Sequence, residues 1–145
     1  MLEQELIGTW LLVSNYVERA DGTRLQTFGT DPKGMAVYDA SGRFSYMIMG
    51  NIRKPFVAGN RMEGTDDENR SVVQGSMSFF GTYAVDEADK TVTWNIERAS
   101  FPNWDGTSRK ISINIVGERL HQVAAPIHAT GGAYVPHLEW MRAKA

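Results

Sequence analysis

Tyr16, Glu18, Tyr46, Tyr83, Arg98 and Arg109 are the residues of this sequence whose types can do chemistry if the fold brings them together. Two guanidiniums offer forked donors that suit a carboxylate, phenolate or enolate on a ligand. A tyrosine can act as an acid or donate a hydrogen bond to a ligand carbonyl, and Glu18 or a histidine can shuttle a proton. Each also has a plainer role. Arginines at strand ends are commonly solvated or paired, here with Glu18 or other rim carboxylates. Tyrosines are commonly core aromatics whose hydroxyl finds one partner. No acid and base stand at a diagnostic spacing, and the sequence holds no Gly-x-Ser-x-Gly elbow, phosphate loop or dinucleotide fingerprint. His121, His128 and His137 have no close metal-ligand spacing, so neither a metal nor a cofactor is expected.

Composition narrows the classes further. The chain has 145 residues, the size of one domain with one sizeable core, and we expect residues 1–145 to form a single domain. Its formal net charge is −2 with no run of lysine or arginine, so neither nucleic acid nor an anionic membrane is an expected partner. Without cysteine there is no disulfide, thiolate site or cysteine nucleophile. The acidic start lacks the apolar core of a signal peptide, and no apolar run reaches membrane-spanning length. A cytoplasmic protein, monomeric or a small homo-oligomer, is the expectation.

Eight stretches read as strands. Leu6–Glu18 is the first, with Trp10, Leu12, Ser14 and Tyr16 alternating against Leu11, Val13, Asn15 and Val17. Ala20–Thr23 turns into a polar connection. Gly34–Asp39 and Arg43–Met49 form a hairpin around Ala40-Ser-Gly42. Asn51–Arg61, with Pro55 and Gly59, is irregular. Thr65-Asp-Asp-Glu68 fits a capping box and starts a short helix that stops near Gly75. Ser78–Val85 and Thr91–Arg98 follow, joined by Asp86–Lys90. The loop Ala99–Ser108 leads to Arg109–Val116, the turn Gly117–Arg119 to Leu120–Ala125, and the loop Pro126–Pro136 to His137–Arg142.

Long and short connections alternate along the chain, and in an up-and-down arrangement alternate connections lie at one end of the sheet. All long loops therefore gather at one end. Eight antiparallel strands of this length can close into a barrel, which removes exposed edges and leaves room for side chains or one small ligand. The expected fold is all-β, an eight-stranded antiparallel up-and-down barrel with one short helix between strands three and four.

Gly8-Thr9-Trp10, Gly34-x-Ala-x-Tyr38, Asp39-x-x-Gly42, Phe80-Gly-Thr-Tyr83, Pro102-x-Trp104-x-Gly106 and Trp140-Met141-Arg142 resemble the lipocalin and calycin group, closest to its compact bacterial and fungal lipocalin-like domains. The resemblance spans essentially the whole chain. It implies that Trp10 packs at the closed end against Arg142, with Gly8 easing the approach; a guanidinium over an indole face adds roughly 0.5 to 2 kcal/mol. It leads one to expect a histidine where this chain has Trp94.

With Trp10 at the closed end, counting along the strands sets the depth of each inward side chain. Ser14 and Trp94 fall at mid-barrel, Tyr16, Glu18, Arg98 and Arg109 near the mouth, and Ile96 and Ile111 on the inward faces of their strands. Tyr46 or Met47 reaches mid-depth, Tyr83 lies lower, Gln122 points inward, and His121 faces out. Three readings follow. The barrel binds an apolar or aromatic small molecule, held by Ser14, Tyr16, Tyr46, Tyr83, Trp94, Ile96, Arg98, Arg109, Ile111 and Gln122. Alternatively, as the family likeness implies, it is a natural-product pathway enzyme, a cyclase, isomerase or hydrolase acting on a polyketide-like or terpenoid-like substrate, with Tyr16, Glu18, Tyr83 and Arg109 as catalytic candidates. In the third, Trp10, Trp94, Tyr16, Tyr46, Phe79 and Tyr83 fill the barrel and no ligand enters.

Overall fold

The computed structural model describes residues 1–129 and 132–144. One helical turn, α1 (Leu2–Leu6), precedes β1 (Gly8–Arg19), and then come β2 (Arg24–Leu25), β3 (Lys33–Tyr38), β4 (Arg43–Met49), α2 (Asp66–Gly75), β5 (Ser76–Asp86) and β6 (Thr91–Ala99). A 3-10 turn at Pro102–Trp104 leads to β7 (Ser108–Val116), β8 (Arg119–Val123), β9 (Ile127–Ala129) and β10 (Gly132–Arg142). The eight long strands β1, β3, β4, β5, β6, β7, β8 and β10 pair antiparallel in that order. Pairing of β1 with β10 closes them into a barrel. The short β2 and β9 extend β1 and β10 at the rim.

Local chemistry explains the elements. At the β3–β4 turn the Asp39 carboxylate accepts from the Ser41 amide at 2.9 Å, the Ser41 hydroxyl at 2.6 Å and the Arg43 amide at 3.0 Å. That turn chemistry sets the hairpin register, in which Tyr38 faces Phe44. The capping box forms as its spacing requires: the Thr65 hydroxyl accepts from the Glu68 amide, and the Glu68 carboxylate accepts from the Thr65 amide. The tight turns β3–β4, β5–β6 and β7–β8 share the end marked by Trp10, while α2 and the long loops furnish the other end.

Three features differ from the sequence expectation. α1 exists, capped on its Leu2 and Glu3 amides by the Glu87 carboxylate, and it brings Leu6 fully into the closed end. The last strand extends well above His137, because β10 continues pairing with β1 up to Arg19 and with β9; Thr130 and Gly131, within the expected Pro126–Pro136 loop, lie outside the described residues. Third, two strands carry bulges. In β1 the register moves between Leu12 and Ser14, leaving Val13 without a partner in β10. In β6 it moves so that Phe80 faces Arg98 while Gly81 faces Ile96, leaving Glu97 unpaired. A bulge inserts one residue and reverses the facing of everything beyond it. Gly81 permits the second bulge, since an added Cβ would lie 1.9 Å from the Asn95 carbonyl oxygen.

The lower barrel is solid. Trp10 is fully buried, its indole N–H donates to the Leu6 carbonyl at 2.8 Å, and the Arg142 guanidinium covers its ring at 4.3 Å. Arg142 also donates to the Ile7 carbonyl at 3.0 Å and to the Glu5 carbonyl. Gly8, at φ +138°, passes so close that a Cβ would meet Arg142 Nη1 at 2.8 Å. Above this plug runs a buried polar chain. Trp94 Nε1 donates to the Tyr38 hydroxyl at 2.9 Å, Gln122 Nε2 donates to the same oxygen at 3.0 Å, and Trp140 Nε1 donates to Gln122 Oε1 at 2.9 Å.

Gln122→Leu would strand the Trp140 N–H in a fully buried site, a loss of about 1–3 kcal/mol for the orphaned donor. We expect the urea midpoint to fall with an unchanged slope, as measured by circular dichroism.

Candidate functional site

Above the polar chain the barrel is open. A cavity of about 500 Å³ opens between the long loops, and its lower wall is Trp94, Tyr46, Phe79 and Ile111. Trp94 spends its N–H downward on Tyr38, so what it adds to the cavity is ring. Tyr46 stacks on Phe79 with centroids 4.3 Å apart and meets Trp94 at 5.5 Å. Asn15, Val17 and Leu138 line the wall formed by β1 and β10, and Ala124 and Pro136 stand higher on β8's exit and β10. Phe28, Met77, Phe101 and Ile127 border the mouth. The volume falls within the range of about 300–1,000 Å³ typical of small-molecule sites, and the few polar groups in a mainly apolar lining fit that class.

Arg109 is the cation of this cavity. Its guanidinium lies over the Trp104 ring at 3.7 Å, its Nε is buried without a hydrogen-bond partner, and burial lowers its pKa. Among the described residues no carboxylate lies within ion-pair distance of it, so the expected alternative of a rim salt bridge is not what Arg109 makes. Lys110 also borders the cavity, but its ammonium pairs with Asp89.

The two bulges overturn several expected positions. Beyond Val13 the facing of β1 reverses, so Asn15 and Val17 point inward while Ser14 and Tyr16 face out. The Ser14 hydroxyl donates to Glu139 at 3.2 Å. Tyr16 stacks on His137 at 4.8 Å, and the Arg24 guanidinium covers its ring at 4.4 Å. Glu18 pairs with Arg24 at 3.2 Å on the same outer wall. Beyond Glu97 the facing of β6 reverses likewise; Arg98 is 75 % exposed and its Nε lies 4.0 Å from the Asp105 carboxylate. Tyr83 faces inward but sits below the cavity, its hydroxyl donating to the Asp39 carbonyl at 2.6 Å. Ile96 and Gln122 are buried outside the cavity lining. Tyr46, not Met47, is the inward residue of its pair: Tyr46 is 6 % exposed and Met47 37 %.

Of the ten expected ligand contacts, the cavity therefore gathers Tyr46, Trp94, Arg109 and Ile111. Asn15 and Val17 were hidden by the bulge. Trp104 was visible as the aromatic of the Pro102-x-Trp104-x-Gly106 loop, and Phe79 by simple alternation. The structure also joins two histidines that sequence spacing separates. His121 Nε2 and His137 Nδ1 lie 3.1 Å apart on the outer wall, where burial and the neighbouring His121 lower the pKa of His137. No cluster of three metal-ligating side chains occurs among the described residues.

Barrel, closed end and open cavity define a lipocalin-like architecture, and comparison with known proteins agrees. The chain belongs to the lipocalin-like domain family, which it matches over residues 7–143. A solved lipocalin-like protein from Bacteroides uniformis is similar at 15% identity and a TM-score of 0.49, over 96% of this chain and 99% of that one. No curated protein matches the sequence. Among the described residues no helix is long and apolar enough to cross a membrane.

The buried phenols give the site a pH signature. Burial pushes Tyr38 up to about 12 and raises Tyr46 above its ordinary 10.0. Above a pH of about 10 the unfolded chain loses phenolic protons that the fold retains, so stability present below that pH declines as pH rises toward 12. Urea midpoints should be level from neutral pH to about 9 and fall above about 10, with a shallower fall in Tyr46→Phe.

Proposed function

We propose that this protein binds an apolar or aromatic small molecule in the cavity at the open end of its barrel. The observation that carries this reading is the cavity itself: about 500 Å³ of space stands above a floor already satisfied by its own hydrogen bonds. Of the aromatics expected to fill the barrel, Trp10 and Tyr83 pack its lower half together with Trp140; Trp94, Tyr46 and Phe79 wall the cavity; and Tyr16 faces out, so the upper half keeps open space.

Magnitudes support a modest affinity. Burial of about 300 Å² of apolar ligand surface contributes roughly 7 kcal/mol at 25 cal/mol/Å². The cost of association is subtracted from that, and a micromolar complex needs about 8 kcal/mol net. Area alone falls short, so polar contacts at the rim must add to it.

The enzyme reading has less behind it. Tyr16 and Glu18 face away from the lumen, and the Tyr83 hydroxyl is engaged at the closed end. Of the lining groups that could donate a proton, Lys110 is paired with Asp89, and burial holds Tyr46 in its neutral form.

A cavity-filling substitution separates a ligand site from a void. Ala124 lines the cavity, so Ala124→Phe occupies space without removing a wall. Titration with the neutral fluorophore N-phenyl-1-naphthylamine should show one-to-one binding to the wild type and a loss of about tenfold or more in the variant. Equal affinity in both folded proteins would mean that the probe binds elsewhere.

A further inference from the structure

Arg109 poses a physical problem that the apolar lining does not solve. A guanidinium held against Trp104, with its Nε out of reach of water and of any protein acceptor, carries a positive charge that no described carboxylate offsets. Asp105, in the loop that holds Trp104, is committed elsewhere: it accepts from the Ala99 amide at 2.8 Å and faces Arg98. A partly buried charge without a partner is costly, and an anion brought into the cavity relieves that cost.

Another wall offers a second polar group of different character. Asn15 is 7 % exposed and lines the cavity, and its Oδ1 accepts from the Thr27 hydroxyl at 3.0 Å. Its amide N–H groups have no acceptor among the described residues. Asn15 lies on β1 and Arg109 on β7, which the order β1, β10, β8, β7 separates by three steps around an eight-stranded barrel. The two groups therefore stand on well-separated walls of the lumen, whose lining also includes Leu138, Ile111, Trp94 and Phe79.

We propose that the ligand is an apolar monoanion, its carboxylate or equivalent acid group on Arg109 and a neutral hydrogen-bond acceptor at its far end on Asn15. This rests on the cavity being the ligand site and goes further, since it sets the ligand's charge and polarity at both ends. One uncompensated cation matches one negative charge. A cationic ligand would add to the unpaired charge, and a pure hydrocarbon would leave both Arg109 and Asn15 unsatisfied. The bidentate fork suits a planar oxyanion, while a neutral amide suits a ketone, ester or ether oxygen.

Three naphthalene probes test the two ends separately. The wild type should bind 6-isopropyl-2-naphthoate about tenfold or more tightly than its primary carboxamide, as expected for a charge-assisted hydrogen bond. That ratio should collapse toward one in Arg109→Gln and be partly kept in Arg109→Lys. 6-Acetyl-2-naphthoate should bind severalfold more tightly than the isopropyl acid, and Asn15→Leu should abolish that advantage. The wild-type ratios decide the matter even where a variant folds poorly. N-phenyl-1-naphthylamine bound one-to-one, with the acid no tighter than the amide, would overturn the anionic end while leaving the cavity reading intact. No advantage for the acetyl group would overturn the assignment of Asn15. Failure of the neutral probe and all three naphthalenes to bind would overturn the cavity reading and this inference with it.

Discussion

The buried chain of hydrogen bonds from Trp94 through Tyr38 and Gln122 to Trp140 is the constraint on which the rest of this barrel depends. Its members come from β6, β3, β8 and β10, so it ties together strands that do not all adjoin. Polar groups buried at this depth are costly unless paired, and here each pairing favours one arrangement because alternatives leave a donor orphaned. The chain also divides the interior. Below it the lumen is packed solid down to the Trp10 and Arg142 plug; above it the walls are ring and aliphatic surface around open space. The satisfied floor and the mainly apolar wall above it both follow from turning the Trp94 N–H downward.

Much of the architecture was legible because it rests on rules with short range. Alternation located all eight barrel strands to within a few residues, except the start of the last one. Turn residues at Asp39–Gly42, the capping box at Thr65–Glu68, and the pattern of loop lengths located the closed and open ends. The Trp10 and Arg142 contact has the geometry that the family likeness implied. α1 escaped notice because a single turn has almost no propensity signal of its own and exists here through Glu87 and tertiary burial.

The site was legible only where strands run without interruption. Trp94, Arg109 and Ile111 lie before or away from the bulges and face as counting placed them. Ser14 and Tyr16 lie after Val13, and Arg98 after Glu97, so one unpaired residue in each strand reversed the prediction for everything above it. Bulges arise from long-range closure of the barrel and leave little trace in local composition, although a Gly81 whose absent Cβ makes room for Asn95 is the kind of mark they leave. The functional consequence is large. The bulges move a tyrosine, a glutamate and an arginine out of the lumen and bring Asn15 and Val17 in, which changes a richly ionisable pocket into a mainly apolar one in which, among the described residues, Arg109 is the cation without a carboxylate partner.

The four tryptophans offer a direct measure of where a ligand sits, because Trp94 and Trp104 border the cavity whereas Trp10 and Trp140 are sealed beneath it. In a two-dimensional 15N–1H spectrum each indole gives its own N–H signal. Titration with N-phenyl-1-naphthylamine should move the Trp94 and Trp104 signals progressively to saturation at one equivalent and leave that of Trp10 in place. A titration that moved none of the four, or that shifted Trp10 as strongly as Trp104, would contradict a ligand site at the open end above a closed floor.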